Sequence, residues 1–361
     1  MSPFKSTGSI SVGKLLSTFR NRDSVGATRL NSSIETDRTP RVLITTTDSD
    51  SINPVSGAIY VTWLTSGAFT VAGGSILTDY LLIGGGGGGA GYSSTPPNGY
   101  YGGTTGGDST ALGLTAYGGG GAGGYNFPAG KNGGSGGGGG NSTAGQGLNP
   151  STPAPVLASF PAYTPGTTQG YPGVDGNYIS PSIYVGGGGG GAGSTGSFRT
   201  GGSGKAAFSG DTDFPASYGE SGSGPGRYFA GGGAGTGAGP GNKGASSTGG
   251  VGGGGNSFPY PSPPSTYLAS LGAQGMGGGG GSMFSSPYTS GGAGGGGAGG
   301  YLEGTDFAIS EGSYPIVIGA GGAGSGPTPY APPRGIGEGG SGIFVLRIPA
   351  PVVSTNKVTV S

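Results

Sequence analysis

Apolar residues cluster at the two ends of this chain, and almost none recur with a regular period between them. Val42–Thr46, Ala58–Leu64, Ala68–Val71 and Asp79–Ile83 are rich in β-branched and aromatic residues. Pro54, Ser66-Gly67 and Gly73-Gly74 punctuate them as turn residues do, so this stretch is predicted to form strands. The last comparable segment is Ile343–Ile348 (IFVLRI), stopped by Pro349. It is expected to close against the first group as a ribbon or small β-subdomain. The apolar stretch from Ala58 to Ala72 is broken by Thr62, Thr65, Ser66, Gly67 and Thr70. No run approaches the roughly 18–20 apolar residues that a membrane-spanning helix needs.

Residues 84–342 follow a different rule. Glycine runs occur at Gly84–Gly89, Gly118–Gly121, Gly136–Gly140, Gly186–Gly191, Gly252–Gly255, Gly277–Gly281 and Gly294–Gly297. Their starts are separated by 34, 18, 50, 66, 25 and 17 residues, too irregular for a solenoid of equal repeats. Glycine loses the most backbone entropy on ordering and buries no side chain. Order must therefore come from backbone N–H and C=O groups finding partners. A helix is disfavoured by about 1 kcal/mol per glycine relative to alanine. The threefold polyproline II shape points every backbone group outward, so bare rods of it can bond to neighbours on several sides, at ~3.1 Å per residue. Bulged antiparallel strands are the rival arrangement. A flexible Gly/Ser linker would not need an aromatic beside each run, as Tyr117, Tyr125, Tyr184, Phe229, Phe284 and Tyr301 provide. The expected fold class is mostly irregular and β, with a small β-framework enclosing a bundle of polyglycine II-type rods with long loops.

Composition sharpens this. Of 361 residues, 97 are glycine and 28 proline, about a third together, without the strict period that a collagen helix requires. Such content usually accompanies disorder, but only 8% of residues are charged, the net charge is zero, and Tyr, Phe and Trp number 19, 13 and 1. Disordered chains are charge-rich and poor in aromatics, so an ordered chain is expected. Cysteine and histidine are both absent. Disulfides, thiolate chemistry, the commonest general base and the commonest transition-metal ligand go with them.

Residues 1–41 carry Lys5, Lys14, Arg20, Arg22, Arg29, Arg38 and Arg41 against Asp23, Glu35 and Asp37. Leu15, Leu16 and Phe19 share one face of a short helix capped by Ser11, although Gly13 opposes it. The arm reads either as a solvated extended terminus or as an attachment arm that orders on docking. The attachment candidates are Phe4, Lys14, Leu15, Leu16, Phe19, Arg20 and Arg22. Four regions are thus expected: the arm 1–41, a β-subdomain 42–83, a glycine-rich rod-and-loop domain 84–342, and a closing strand with tail 343–361.

The intervals between glycine runs are rich in Tyr, Ser, Thr, Asn and Pro, a palette that gives contact area and adaptable hydrogen bonds at low entropic cost. Candidate receptor-contact residues are Tyr92, Tyr100, Tyr101, Tyr163, Tyr171, Tyr178, Tyr260 and Tyr288. The alternative is that these rings cover rod ends and neighbouring subunits.

Chemical motifs fail one by one. Gly201–Lys205 (GGSGK) has Arg199 and Ala206 where a phosphate loop needs Gly and Ser or Thr. Gly133–Gly137 fits G-x-S-x-G around Ser135, but the chain has no histidine to activate it. Asp48, Asp50 and Asn53 lack the rest of a calcium loop. Asp211 and Asp213 form a carboxylate pair with no evident partner. Residues 84–342 hold six basic and nine acidic side chains, so no nucleic-acid surface is expected. No catalytic, cofactor or metal residue is assigned, and the chain is read as non-enzymatic.

Residues 67–91 (GAFTVAGGSILTDYLLIGGGGGGAG) resemble the entry into glycine-rich domains of virion and tail proteins of tailed bacteriophages. Gly339–Ile348 (GGSGIFVLRI) resembles their closing strand, and residues 291–324 share their internal texture. The opening PFKSTGSISVGKLLSTFRNRD is similar to N-termini of cyanobacterial-phage virion proteins. A more distant likeness is to the glycine-rich tip adhesins of T-even-type phages, from which the arm and the Pro-rich interval depart. The resemblance implies a tail-associated structural protein, in a fibre or baseplate, that displays host-recognition loops. It implies other virion proteins as partners of the arm, a host glycan or outer-membrane protein at the loops, and a homo-oligomer, a trimer by preference. The alternative is a baseplate or capsid-decorating component without receptor contact; a polysaccharide hydrolase or lyase is a third, with sparse carboxylates against it. Residues 1–20 contain no unbroken apolar stretch of 7–15 residues such as a secretory signal needs, so assembly in a host cytoplasm and exposure on a particle are expected.

Overall fold

The computed structural model describes residues 43–47, 51–55, 57–93, 99–124, 129–140, 169–180, 183–238, 247–258, 270–284, 292–324 and 337–349. Among them there is no α-helix, only strands, turns and a short 3-10 turn at Ala207–Ser209. The architecture is mostly β and irregular, as the sequence predicts.

Strands β1 (Leu43–Thr47), β2 (Ser51–Val55), β3 (Ala58–Trp63), β4 (Gly67–Ala72) and β5 (Ile76–Ile83) come first. Short strands follow: β6 (Gly91–Ser93), β7 (Gly99–Tyr101), β8 (Ser109–Ala111), β9 (Leu114–Ala116), β10 (Asn177–Ser180) and β11 (Ile183–Val185). Next are β12 (Lys205–Ala206), β13 (Glu220–Ser221), β14 (Arg227–Phe229), β15 (Gly237–Ala238) and β16 (Met283–Phe284). The long strands β17 (Tyr301–Ile309), β18 (Gly312–Ile316) and β19 (Ile343–Pro349) end the series.

The centre of the frame is a five-stranded antiparallel sheet in the order β17-β5-β19-β3-β2. The closing segment expected at 343–348 lies between β5 and β3, pairing Leu346 with Tyr80 and with Val61. This sheet is buried on both faces, so its sequence alternates between two cores rather than between core and water. Ile59, Val61, Trp63, Tyr80, Leu82, Phe344 and Leu346 face one core with Phe69, Val71, Leu114 and Ile316. Tyr60, Leu81, Ile83, Ile343 and Val345 face a second core with Phe208, Phe214 and Phe229. The first core is covered by the sheet β1-β4-β18 and the hairpin β8–β9, the second by residues 205–229. A bulge between Gly304 and Phe307 adds a residue to β17, which puts both Leu302 and Phe307 in the first core. Pro54, expected as a turn residue, lies instead inside β2, paired with Ile59 on the sheet edge, where a missing N–H is tolerated. The sequence does not signal β17, β18 or the 205–229 layer, because all three lie inside the glycine-rich stretch.

Three strands of this sheet continue directly into glycine: β5 into 84–90, β17 out of 292–300, and β19 out of 337–342. The pairing rule then changes. Gly84, Gly87 and Ala90 donate to the carbonyls of Gly300, Gly297 and Gly294. Gly85 and Gly88 donate to Gly107 and Thr104, and Gly86 and Gly89 to Gly340 and Gly337. The partner therefore changes at each residue and returns every third one, not every second as in a sheet. Segment 292–300 is bonded on several sides. Its N–H groups reach segments 117–123, 187–190 and 277–280, and its carbonyls accept from 84–90, 135–138 and Gly233. None of Gly84–Gly89 has a positive φ, so these glycines are not needed for left-handed backbone. They are needed for approach: a Cβ on Gly86 would lie 2.0 Å from the Gly278 carbonyl oxygen.

Candidate functional site

The glycine segments run between two unlike ends. At one end is the frame, which contains Leu43 and Pro349, the first and last described residues. At the other, Ala90 bonds to Gly294, Gly123 to Gly138, Gly186 to Thr236 and Gly89 to Gly337. Here two small sheets form, β16-β6-β7 and β10-β11-β15. The described chain breaks off and resumes at this end around 93/99, 124/129, 180/183, 238/247, 284/292 and 324/337. The connection after Gly140 differs, since Gln169 re-enters beside the frame, its Oε1 accepting from Tyr117 N–H at 2.8 Å.

The sequence-predicted tyrosines separate accordingly. Tyr92 and Tyr100 are cross-strand partners in β6–β7, with Tyr101 opposite Gly91, and Tyr178 stands opposite Tyr184 in β10–β11. All four thus sit at the far end. Tyr171 does not: its backbone bonds to Gly136 and Gly191 near the frame, where it lies on the flank, 43% exposed. Tyr163, Tyr260 and Tyr288 lie outside the described residues, as do Phe4, Lys14, Leu15, Leu16, Phe19, Arg20 and Arg22 of the arm.

A second constellation, missed from sequence, lies on the frame. A cleft of about 320 Å³ is lined by Asp79, Phe208, Ser209, Gly210, Asp211, Thr212, Thr305 and Arg347. Asp211, which had no evident partner in the sequence, meets Arg347 Nε at 3.0 Å and accepts from the Tyr60 hydroxyl. Arg347 Nη1 bonds to Asp79, whose other oxygen accepts from Asp306 N–H at 3.0 Å. Burial pulls the Arg347 guanidinium down, but its hydrogen bonds to Asp79 and Tyr60 outweigh this and hold it above its ordinary value. Both carboxylates are thus engaged by one cation. Asp211 also accepts from the Asp213 backbone N–H at 2.9 Å. Asp48 and Asp50 lie outside the described residues; Asn53 bonds to Ser51, and no group of three or more potential metal ligands occurs among the described residues.

Burial, then the hydrogen bond to Asp211, pushes the Tyr60 hydroxyl well above its ordinary value near 10. Burial and Glu303 do the same to Tyr301. Both keep their protons in the fold, so the stability they contribute is complete below about pH 10 and is lost as pH rises beyond it. Urea-unfolding midpoints are expected to stay level up to pH 10 and then fall. Tyr60→Phe and Tyr301→Phe should each flatten that alkaline slope, and an unchanged slope in the double variant would refute the assignment.

The chain matches no protein-family model, no curated protein and no solved structure at a significant level. No helix among the described residues is long and apolar enough to cross a membrane.

Proposed function

We propose that this chain is a structural virion protein of a tailed bacteriophage, tail-associated in a fibre or baseplate, whose far end displays host-recognition loops. The observation that carries this reading is the polarity of the molecule. Both described chain ends lie in the β-frame, where the N-terminal arm would dock to other virion proteins. At the opposite end the described chain breaks off between glycine segments at several places, with Tyr92, Tyr100, Tyr101 and Tyr178 beside them.

In this reading the glycine segments are polyglycine II-type rods. The threefold return of hydrogen-bond partners supports that assignment, because a helix of three residues per turn aims successive carbonyls in three directions. A backbone lattice of this kind stiffens a projecting element without disulfides or a helical core. The ligand at the loops would be a host glycan or outer-membrane protein, and the assembly a homo-oligomer, a trimer by preference. The engagement of both frame carboxylates by Arg347 favours a binding role over polysaccharide cleavage.

Antibody raised against residues 84–342 is expected to label the tail tip or fibre of intact particles in electron microscopy. Label on the capsid or tail trunk would exclude the recognition role and leave a baseplate or decorating component.

A further inference from the structure

The sheet face that holds Asp79 and Arg347 is only partly covered. Residues 205–229 pack on Tyr60, Leu81 and Val345, but beyond the cleft this face ends in Leu77, Ala308 and Pro349. Leu77 stands opposite Ala308. Arg347 stands opposite Asp79, so two residues further on Pro349 falls beside Leu77. The three form one cross-strand apolar row at the outer end of the frame. All three are exposed, Leu77 by 59%, so no described element covers the row.

The cleft borders this row on its charged side. Asp79 and Asp211 share Arg347, and they accept from the backbone N–H groups of Asp306 and Asp213 respectively. Both flanking residues are exposed, and neither enters an ion pair among the described residues. Four carboxylates therefore surround one guanidinium beside an apolar strip. Such a surface fits a partner that is both basic and apolar. A second copy presenting the same face would set carboxylates against carboxylates. Residues 350–361, which follow Pro349, offer only Lys357 as a cation. The described residues carry ten acidic and five basic side chains, whereas residues 1–41 carry seven basic and three acidic ones. Within that arm, Lys14–Arg22 (KLLSTFRNR) interleaves three apolar side chains with three basic ones and contains no acidic one.

We propose that this surface is the docking site of residues 14–22 of the same chain, with Leu15, Leu16 and Phe19 on the apolar row and Lys14, Arg20 and Arg22 on the carboxylates. The path is short. Leu43 stands opposite Ala72, at the turn that leads through Ile76 to Leu77 and Asp79. The residues from Arg22 to Leu43, at up to ~3.3 Å each, span far more than that step. The inference rests on reading residues 1–41 as an attachment arm, and adds that the arm orders against its own frame.

The test is trypsin cleavage of the full-length protein after Arg20 and Arg22, followed by mass spectrometry. When redocking is fast, cleavage tracks the fraction of arm released. Two variants probe the two halves of the contact: Leu15→Ser, Leu16→Ser, Phe19→Ser in the arm, and Asp213→Asn, Asp306→Asn at the cleft. Asparagine suits the left-handed backbone at Asp306 (φ 52°), and an unchanged urea midpoint verifies that each variant folds. Each is expected to be cut about tenfold faster than the parent. Salt at about 0.5 M should speed cleavage of the parent and leave the cleft variant nearly unchanged, because the charges are screened. Zero-length carbodiimide coupling should join Lys14 to Asp213 or Asp306 within one chain. Hybrid products from mixed light and heavy-isotope protein would give the site to a neighbouring copy and overturn the same-chain assignment. Equal cleavage of the parent and both variants would overturn the docking site itself. If the arm variant is nevertheless left out of particles, the attachment reading stands and only this site falls.

Discussion

Gly296→Ala is expected to destabilise the protein by about 3 kcal/mol or more, far beyond what an added methyl does at an ordinary surface site. The Cβ would lie 2.1 Å from the Gly87 carbonyl oxygen and 2.7 Å from its carbon. Backbone rather than a flexible side chain occupies that space, and Gly296 itself bonds to Gly280 while its carbonyl accepts from Gly233. The segment is bonded on several sides, so it cannot step aside without breaking bonds to other segments. Gly107→Ala is the control. Its Cβ would meet Ala320 N at 3.1 Å and nothing closer, at an edge of the same network. There the loss of unfolded-state entropy offsets the crowding, and a change within about 1 kcal/mol is expected. Urea unfolding of the two variants measures both. Equal effects would mean that glycine is used here for something other than close approach.

Arg347→Met is the second large effect, expected at about 3 kcal/mol, the low end for breaking a buried ion pair because the arginine is 30% exposed. The side chains of Asp79 and Asp211 are only 8% and 14% exposed and would be left facing the cleft as unpaired charges. The link between residues 207–211 and the central sheet would also be cut. The triple variant Arg347→Met, Asp79→Asn, Asp211→Asn is expected to recover most of the loss, since it leaves no unpaired charge. A triple variant as unstable as the single one would assign the effect to packing around Phe208 instead.

The frame was partly legible in the sequence. Residues 43–83 and 343–349 advertise strands through dense β-branched and aromatic residues, but β5 begins earlier than expected, at Ile76, and β2 hides behind Pro54, which reads as a turn and sits in the edge strand. The strands β17 and β18 escaped notice although the stretch YLEGTDFAI has buried and exposed positions, because a bulge at Gly304–Phe307 breaks the alternation. The 205–229 layer has no periodic signal at all, only Phe208, Phe214 and Phe229 at uneven spacing. The Asp79–Arg347–Asp211–Tyr60 cluster was invisible for a different reason: its members come from four separate parts of the chain. The far-end tyrosines were legible as a type, but sequence could not separate Tyr171, on the flank, from Tyr92, Tyr100, Tyr101 and Tyr178.

The sequence by itself determined that backbone, not side chains, must hold the middle of this protein, and that a β-frame must bracket it. With 97 glycines and no histidine or cysteine, neither a large apolar core nor the commonest acid–base chemistry is available. It did not determine which glycine segment lies beside which. One glycine is chemically identical to the next, so a run contains no register information, and a shift by three residues would satisfy the same bonds. The tertiary structure decides through the strands that have side chains. Ile83 lies opposite both Tyr301 and Ile343, and the runs leading from those three residues inherit that alignment. From there the polarity of the molecule follows, with the first and last described residues at the frame and the small sheets β16-β6-β7 and β10-β11-β15 at the far end.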